Sequence, residues 1–499
     1  MSSSMMNNNS VGVILMFFSI AFFWLACSRD SLYTGSDATL LFSTDTLRFD
    51  TVFTQKGSAT RILKVYNPYT EDIIIEEISM ELKENSMFRL NVDGIPTNTA
   101  NNVPIAAGDS LYIFAEVTVD PDAPLSVSPF IVEEWLMFNT NGNEQKVLLE
   151  AWGQNANYVP RFDGQGDQVL LSCSLGEVVW DDPRPYVIYG LLAIDSCTLT
   201  IPAGADIYVH GGIVRTTGTD FYNDGIIFTL EHGIINIRGT VDEPVTIQSD
   251  RLEPEFAEVS GQYSGIRLGR GSTGPHVVEH AHIRHAIVGI YTDSASVLTV
   301  RNSKLSYCSS AGIAAVRSKL DIENTLFHNN DGGGIAMVYG GEYNLTYCTV
   351  SNLNSSAPAL AAQNFICYDP PFCSDADAFP IQLNARNSIF VSGGRDAISL
   401  GNGVPSEPLA FQYDFRHCLM NVDELLRSNN FSDFLDNCDS CIDYSRTEPL
   451  FLNIEEKDFT LDTMSVARDE GIFLQDVQTD LRNNPRKMTP DLGCFEFLD

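Results

Sequence analysis

Residues 265–335 read GIRLGRGSTGPHVVEHAHIRHAIVGIYTDSASVLTVRNSKLSYCSSAGIAAVRSKLDIENTLFHNNDGGGI, with Gly-Ile pairs at Gly265-Ile266, Gly289-Ile290, Gly312-Ile313 and Gly334-Ile335. The pairs are 24, 23 and 22 residues apart, and short strand-like runs bounded by polar turns lie between them. Units of that length cannot bury an apolar face alone, so they must stack along an axis and share one continuous core. The spacing predicts a solenoid.

A second ladder follows from the same period. Ile283, Leu305, Phe327 and Val350 recur at 22, 22 and 23 residues and are expected to stack inward, with Asn302 and Asn324 at equivalent turns where their amides bond neighbouring coils. Upstream, Leu199 to Ala205, Gly233 to Thr240 and Glu243 to Ile247 resemble the entry coils of a right-handed parallel β-helix of the pectin-lyase type. That resemblance implies an all-β rod from 157 to 499, on a fold that carries lyases as well as non-enzymatic surface proteins. Residues 361–380, rich in Cys, Pro and acids, are expected to leave the rod as a loop bordering a groove. The end of the chain, with Glu448-Pro449-Leu450-Phe451 and Pro490-Asp491-Leu492-Gly493-Cys494-Phe495-Glu496, resembles the terminal segment of exported β-helix proteins from Bacteroidetes-like bacteria, which implies a cap from about 446.

The region before the rod has a different texture. Strand-like runs such as Arg61 to Tyr66, Leu111 to Val117 and Lys146 to Ala151 alternate with turn signals at Asn67-Pro68, Ala107-Gly108-Asp109 and Asn141-Gly142, predicting an antiparallel sandwich of about seven strands. Val65-Tyr66-Asn67, Val119-Asp120-Pro121 and Ala151-Trp152-Gly153-Gln154 resemble Hydin-like immunoglobulin-like domains, which places that domain at 38–156 and implies a spacer or contact module.

Val11 to Leu25 is an apolar run ending in Ala26-Cys27, too short to span a bilayer comfortably. It resembles a bacterial lipoprotein signal. The resemblance implies a signal peptide over 1–26, an acylated Cys27 as N-terminus, a lipid anchor and tether over 27–37, and residence in the outer membrane, facing the cell surface. With Cys27 set aside, ten cysteines remain, an even number consistent with disulfides in an oxidising space. Cys367 and Cys373 bracket Pro370-Pro371, and Cys438 and Cys441 form a lone C-x-x-C without the second pair a zinc site needs.

The chain has 65 acidic and 30 basic residues, a formal charge of −35, which repels nucleic acid and argues against it as a partner. Against that background residues 265–319 hold seven basic residues (Arg267, Arg270, Arg284, Arg301, Lys304, Arg317, Lys319) and two acidic ones, and His276, His280, His282 and His285 fall in the same stretch. Alternation about Ile283 is expected to turn His280, His282 and Arg284 outward, with Lys304 and His328 on the next two coils, so that the set lines one face as a cradle for an anionic chain. Leu326 shares that outward parity, which either argues against this register or supplies an apolar platform.

Three readings of this patch stay open: a solvated face whose charges balance neighbouring carboxylates, a site for carboxylated or sulfated glycan, and a catalytic site. In the last, Arg284 or Lys304 would be the base of a β-elimination on a uronate, with a cation such as calcium neutralising its carboxylate. The coils lack both an acidic cluster like the calcium carboxylates of pectate lyases and a close carboxylate pair for hydrolysis. His280 and His282 alone do not make a metal site. The sequence therefore predicts a surface binding or scaffold protein for polysaccharide or a protein partner, with no required cofactor. A polysaccharide lyase or glycoside hydrolase is the alternative.

Overall fold

The computed structural model describes residues 31–53, 58, 60–119, 130–159, 168–215, 221–272, 274–371, 373, 375–428 and 430–498. The signal run and Cys27 lie outside the described residues, as does the first part of the tether. The chain divides into two compact units, 1–155 and 156–499. No helix among the described residues is long and apolar enough to cross a membrane.

The first unit is a sandwich of two five-stranded sheets. One sheet runs Leu41–Phe42, Arg61–Tyr66, Ser110–Val117, Phe88–Val92, Ile95–Pro96; the other runs Thr46–Phe53, Asn143–Gln154, Phe130–Thr140, Ile73–Met80, Thr99–Ile105. Period-two alternation, as in Ser110–Val117, sends Leu111, Ile113, Ala115 and Val117 into a core shared with Phe49, Val65, Phe88, Phe138 and Val147. Two expectations need correction. The described strands number ten rather than seven, and Thr46–Phe53 pairs parallel with Asn143–Gln154, so the sandwich is not wholly antiparallel. Asn67 organises its turn: its amide donates to Glu71, Ile105 and Ala106 carbonyls while its Oδ1 accepts from the Tyr69 N–H.

The second unit is a right-handed parallel β-helix. Each coil contributes one strand to each of three parallel sheets, as in Gly265–Leu268 (sheet 1), His276–Glu279 (sheet 2) and Ala281–Arg284 (sheet 3). The Gly-Ile pairs stack as read, Ile266 on Ile290, Ile313 and Ile335, and the ladder extends to Leu360 and Ile398. Ile283, Leu305, Phe327 and Val350 are likewise in register and wholly buried, continued by Phe390. The two ladders explain each other. A Cβ on Gly312 would stand 2.7 Å from the Phe327 ring, and one on Gly334 would meet Val350, so glycine at these two positions leaves room for the sheet 3 ladder.

Sheets 2 and 3 are joined by a single left-handed residue. His280, Asn302, Asn324, Tyr347, Asn387 and His417 have φ of 46°, 48°, 45°, 52°, 49° and 51°, a conformation in which Asn is favoured among side-chain-bearing residues. The next residue is small and buried. Ser303, Thr325 and Ser388 each donate a hydroxyl to the carbonyl two residues back, satisfying the tight corner locally. Asn302 and Asn324 hold the equivalent turns expected of them. Asn324 does not bond the Asn302 turn, because its amide donates to the Thr479 carbonyl instead.

The C-terminal region differs from the expected cap. Leu425, Phe431 and Phe434 pack on Phe411 and Phe415 and close the end of the core before residue 446 is reached. Residues 444–497 then run back along the outer face of sheet 3. Tyr444, Leu450, Leu461 and Leu492 pack on Ile389, Val391 and Leu419, and Phe459, Leu481 and Phe495 pack on Leu326. Apolar side chains on the outward side of sheet 3 require such a cover, since an exposed sheet face would leave them in water.

Candidate functional site

Sheet 3 places His282 beside Lys304, Lys304 beside Leu326, Arg284 beside Ser306 and Ser306 beside His328, all outward, so the expected register holds for His282, Arg284, Lys304 and His328. His280 is not among them. It occupies the left-handed corner, where the single positive-φ residue takes it out of the strand's alternation, and it sits with Glu279, Asn302 and Asp480 around a cavity of about 330 Å³.

This face is roofed rather than open. The returning chain presses Phe459 against the His328 ring at 4.9 Å, leaving His328 8% exposed, and Lys457 reaches Glu258 at 2.6 Å. From the other side the 250–264 segment supplies the Ala257 carbonyl, which accepts from Arg284 Nη2 and from His285 Nε2, each at 2.9 Å. Burial lowers the His282, His285 and His328 imidazoles to about 4, with Lys304 and Arg284 adding to the effect on His282 and His328. Burial also lowers Lys304, which lies near Arg482 and Cys494 of the returning chain. His276 is a core residue, fully buried between Ser272 and the Ile235 N–H.

The basic run does not form one patch. A coil of about 22 residues visits three sheets, so charges contiguous in sequence are distributed over three faces. Arg284 and Lys304 lie on sheet 3. Arg301 and Lys319 lie on sheet 2, paired with Glu323 at 3.8 Å and Glu342 at 3.1 Å, beside the Arg238–Glu279 pair at 3.3 Å. Arg267 lies on sheet 1 and Arg317 at its edge. For Arg301 and Lys319 the charge-balancing reading is the structural outcome.

Sheet 1, like sheet 2, presents an open face. Its outward row is Arg267, Tyr291, Ala314, Ala336, Ala361 and Ser399, in register across six strands. Arg267 and Ser399 are exposed and the rest half-buried, and Arg267 lies 5.1 Å from the Tyr291 ring centroid. Along one edge Arg317 stacks on Phe379 at 3.8 Å and lies 5.8 Å from Tyr339, whose hydroxyl donates to Asp377. Phe379 follows a hairpin of Phe365–Cys367 against Ala376–Ala378, closed by the Cys367–Cys373 disulfide. This is the loop expected over 361–380, although Ala361 to Gln363 stay in sheet 1. At the far end, Ser356, Arg395, Asp396, Ser399 and Glu424 line a cavity of about 520 Å³ in which Arg395 meets Glu424 at 2.7 Å.

Sequence reasoning missed this row. Two signals were available: Ala314, Ala336 and Ala361 recur at the coil period directly after the inward ladder, and outward Leu326 marks sheet 3 as a covered face. Among the described residues no three His, Cys, Asp or Glu side chains converge to hold a metal ion. Disulfides join Cys173 to Cys197, Cys367 to Cys373 and Cys438 to Cys441, whereas Cys308, Cys348, Cys418 and Cys494 are buried free thiols.

The family described as right handed beta helix region matches residues 213–367, about a third of the chain. No curated protein matches. Among solved structures, the catalytic unit of a thermostable GH87 α-1,3-glucanase from Streptomyces thermodiastaticus is similar at 12% identity and a TM-score of 0.25, over 72% of this chain and 75% of that one. A family 123 glycoside hydrolase from Clostridium perfringens is similar at 6% identity and a TM-score of 0.17, over 45% of this chain and 62% of its own length. The matched residues lie within the coiled region that carries sheets 1 to 3.

Proposed function

We propose that the chain is an outer-membrane lipoprotein, anchored through an acylated Cys27 and displayed at the cell surface, that binds polysaccharide along sheet 1 without altering it. The sandwich, in the immunoglobulin-like role implied by its sequence, is the spacer. The observation that carries this reading is the contrast between two faces. Leu326 and His328 of sheet 3 are buried under the chain's own C-terminal return, with Arg284 and Lys304 half-buried around them, while sheet 1 keeps a half-exposed row bounded by a disulfide-closed hairpin and ended by the exposed Arg267 and Ser399.

Six adjacent strands at about 4.8 Å spacing give a row of about 24 Å, enough for several sugar residues of an extended chain. Arg267 and Arg317 offer planar guanidinium donors suited to carboxylate or sulfate groups, and Tyr291 offers a ring with a polar tip. Anionic glycan is therefore the ligand class. The test is retention on uronate-containing and sulfated polymers with simultaneous recording of unsaturated product. Retention without product supports binding, and absence of retention on every polymer refutes it.

The lyase reading keeps one observation in its favour, the lowering of Lys304 by burial, which is the direction a base requires. Product formation lost in Lys304→Ala would establish it in place of the binding reading. Calcium, which that reaction would use, finds no ready group of three ligands among the described residues.

A further inference from the structure

We propose that the anionic polysaccharide bound along sheet 1 carries its acidic groups on alternate sugars, with a neutral sugar between them. The inference rests on the sheet 1 reading above and narrows its ligand class. The outward row extends one strand beyond Arg267, since Ile226–Thr229 pairs with Gly265–Leu268 and sets Phe228 beside Arg267. Phe228 is half-buried, so Arg267 stands between two outward rings, Phe228 and Tyr291.

The turns that leave sheet 1 towards sheet 2 carry a second column. Glu231, Arg270, Asp293 and Arg317 follow the strands Ile226–Thr229, Gly265–Leu268, Val288–Thr292 and Ala311–Val316, within two residues of their ends. Their charge changes sign from each coil to the next. The alternation continues after Ile335–Val338, where the Tyr339 hydroxyl donates to Asp377. It begins at Glu231, because the coil before carries another acid, Asp195, after Leu191–Ile194. Among the described residues Glu231, Arg267, Arg270, Asp293 and Arg317 make no ion pair, whereas Arg238, Arg301 and Lys319 of sheet 2 all do.

Adjacent strands are about 4.8 Å apart, so Arg270 and Arg317 are separated by about 9.6 Å along the rod, the length of roughly two sugars of an extended chain. A sugar over Arg267 directs its carboxylate to Arg267 and Arg270, and the next carboxylate to reach a cation falls two sugars on, at Arg317. The sugar between them lies on Tyr291, beside Asp293. Burial raises the Tyr291 hydroxyl, with Asp293 adding to the effect and Arg267 opposing it, which sets both charges close to that ring. A carboxylate on this sugar, or on one stacked on Phe228 beside Glu231, would meet a like charge. Such repulsion selects against a polymer that is acidic on every sugar. A neutral sugar instead lays its C–H face on the ring.

The test measures the affinity of the full chain for hyaluronate and unsulfated chondroitin, in which uronate alternates with a neutral acetylated amino sugar, and for polygalacturonate, acidic on every sugar. At least tenfold tighter binding of an alternating polymer is expected, weakened at least fivefold by Phe228→Ala and by Arg317→Ala. Glu231→Gln/Asp293→Asn is expected to raise polygalacturonate binding at least fivefold. Glu76→Gln/Glu144→Gln on the sandwich, an equal change of net charge, is expected to leave it unchanged. Equal or tighter binding of polygalacturonate that is lost in Arg267→Ala/Tyr291→Ala overturns this inference while the sheet 1 reading stands. A preference that survives Glu231→Gln/Asp293→Asn undiminished overturns it too. Binding of none of the three polymers also overturns it, and retention on sulfated polymers then decides the sheet 1 reading separately.

Discussion

Lys457 Nζ meets Glu258 at 2.6 Å, tying the C-terminal return to the 250–264 segment across the outer side of sheet 3. The pair is partly exposed, and such surface pairs contribute about 0–1 kcal/mol. Lys457→Ala is expected to leave the global unfolding midpoint nearly unchanged while increasing amide exchange locally around Ala257 and Phe459. Exchange mass spectrometry of the two proteins measures this directly.

Arg486 is the anchor of the same return. Its guanidinium is buried, donates to Asn324 at 2.8 Å and to the Gly493 carbonyl at 3.0 Å, lies over the Tyr347 ring at 3.6 Å and pairs with Glu496 at 3.4 Å. Removing one member of a buried pair leaves the other charge unpaired, at a cost of about 3–5 kcal/mol. Arg486→Met is expected to destabilise by that amount in urea unfolding, and Arg486→Met with Glu496→Gln to recover part of the loss. Limited proteolysis of the single variant is expected to release fragments from 444 onward.

Gly312 has no room for a side chain beside Phe327. Gly312→Ala is expected to destabilise by about 1–3 kcal/mol through overpacking, and Phe327→Leu in the same chain to relieve part of it. Additive losses in the double variant would show that the two positions do not compete for space.

His276, His285 and His328 are 0%, 3% and 8% exposed, and burial lowers each from 6.5 to about 4. The unfolded chain takes up these protons near pH 6.5 and the folded chain only near 4. Stability from the neutral rings is thus complete above about 6.5 and lost as pH falls towards 4, on the order of 1–2 kcal/mol per ring by pH 5. Urea midpoints measured between about pH 7.5 and 5 should fall, and His328→Gln should flatten the dependence. Glu323 and Glu496, which burial raises, act in the opposite direction, so the difference between native and variant chains is the quantity to compare.

Cys308, Cys418 and Cys494 are fully buried, and burial pushes each thiol up to about 12; Cys348 is raised likewise. A chain begun at Ser28 is expected to show no reactive thiol while folded and four after denaturation without reductant, as counted by a thiol-reactive dye.

Much of the rod was legible because its period is enforced by packing. Ile283, Leu305, Phe327 and Val350 must recur at the coil length to share one core, and Gly312 and Gly334 must be glycine to admit them. The returning segment had no such period, since it lies across the coils instead of adding to them, and its docking depends on side chains such as Leu326 and Arg486 that are far apart in sequence. His280 was misplaced because strand alternation stops at the left-handed corner. The basic run looked like a patch because sequence proximity hides the division into three faces. Pairing with Glu323 and Glu342 then accounts for two of its members.

The central claim is that sheet 1, not sheet 3, is the binding face. The most direct test compares the affinity of the chain begun at Ser28 for uronate-containing and sulfated polysaccharides with that of Arg267→Ala/Tyr291→Ala and of Arg284→Ala/Lys304→Ala. At least tenfold weaker binding is expected for the sheet 1 pair and little change for the sheet 3 pair. Undiminished binding by the sheet 1 pair together with loss in the sheet 3 pair would contradict it.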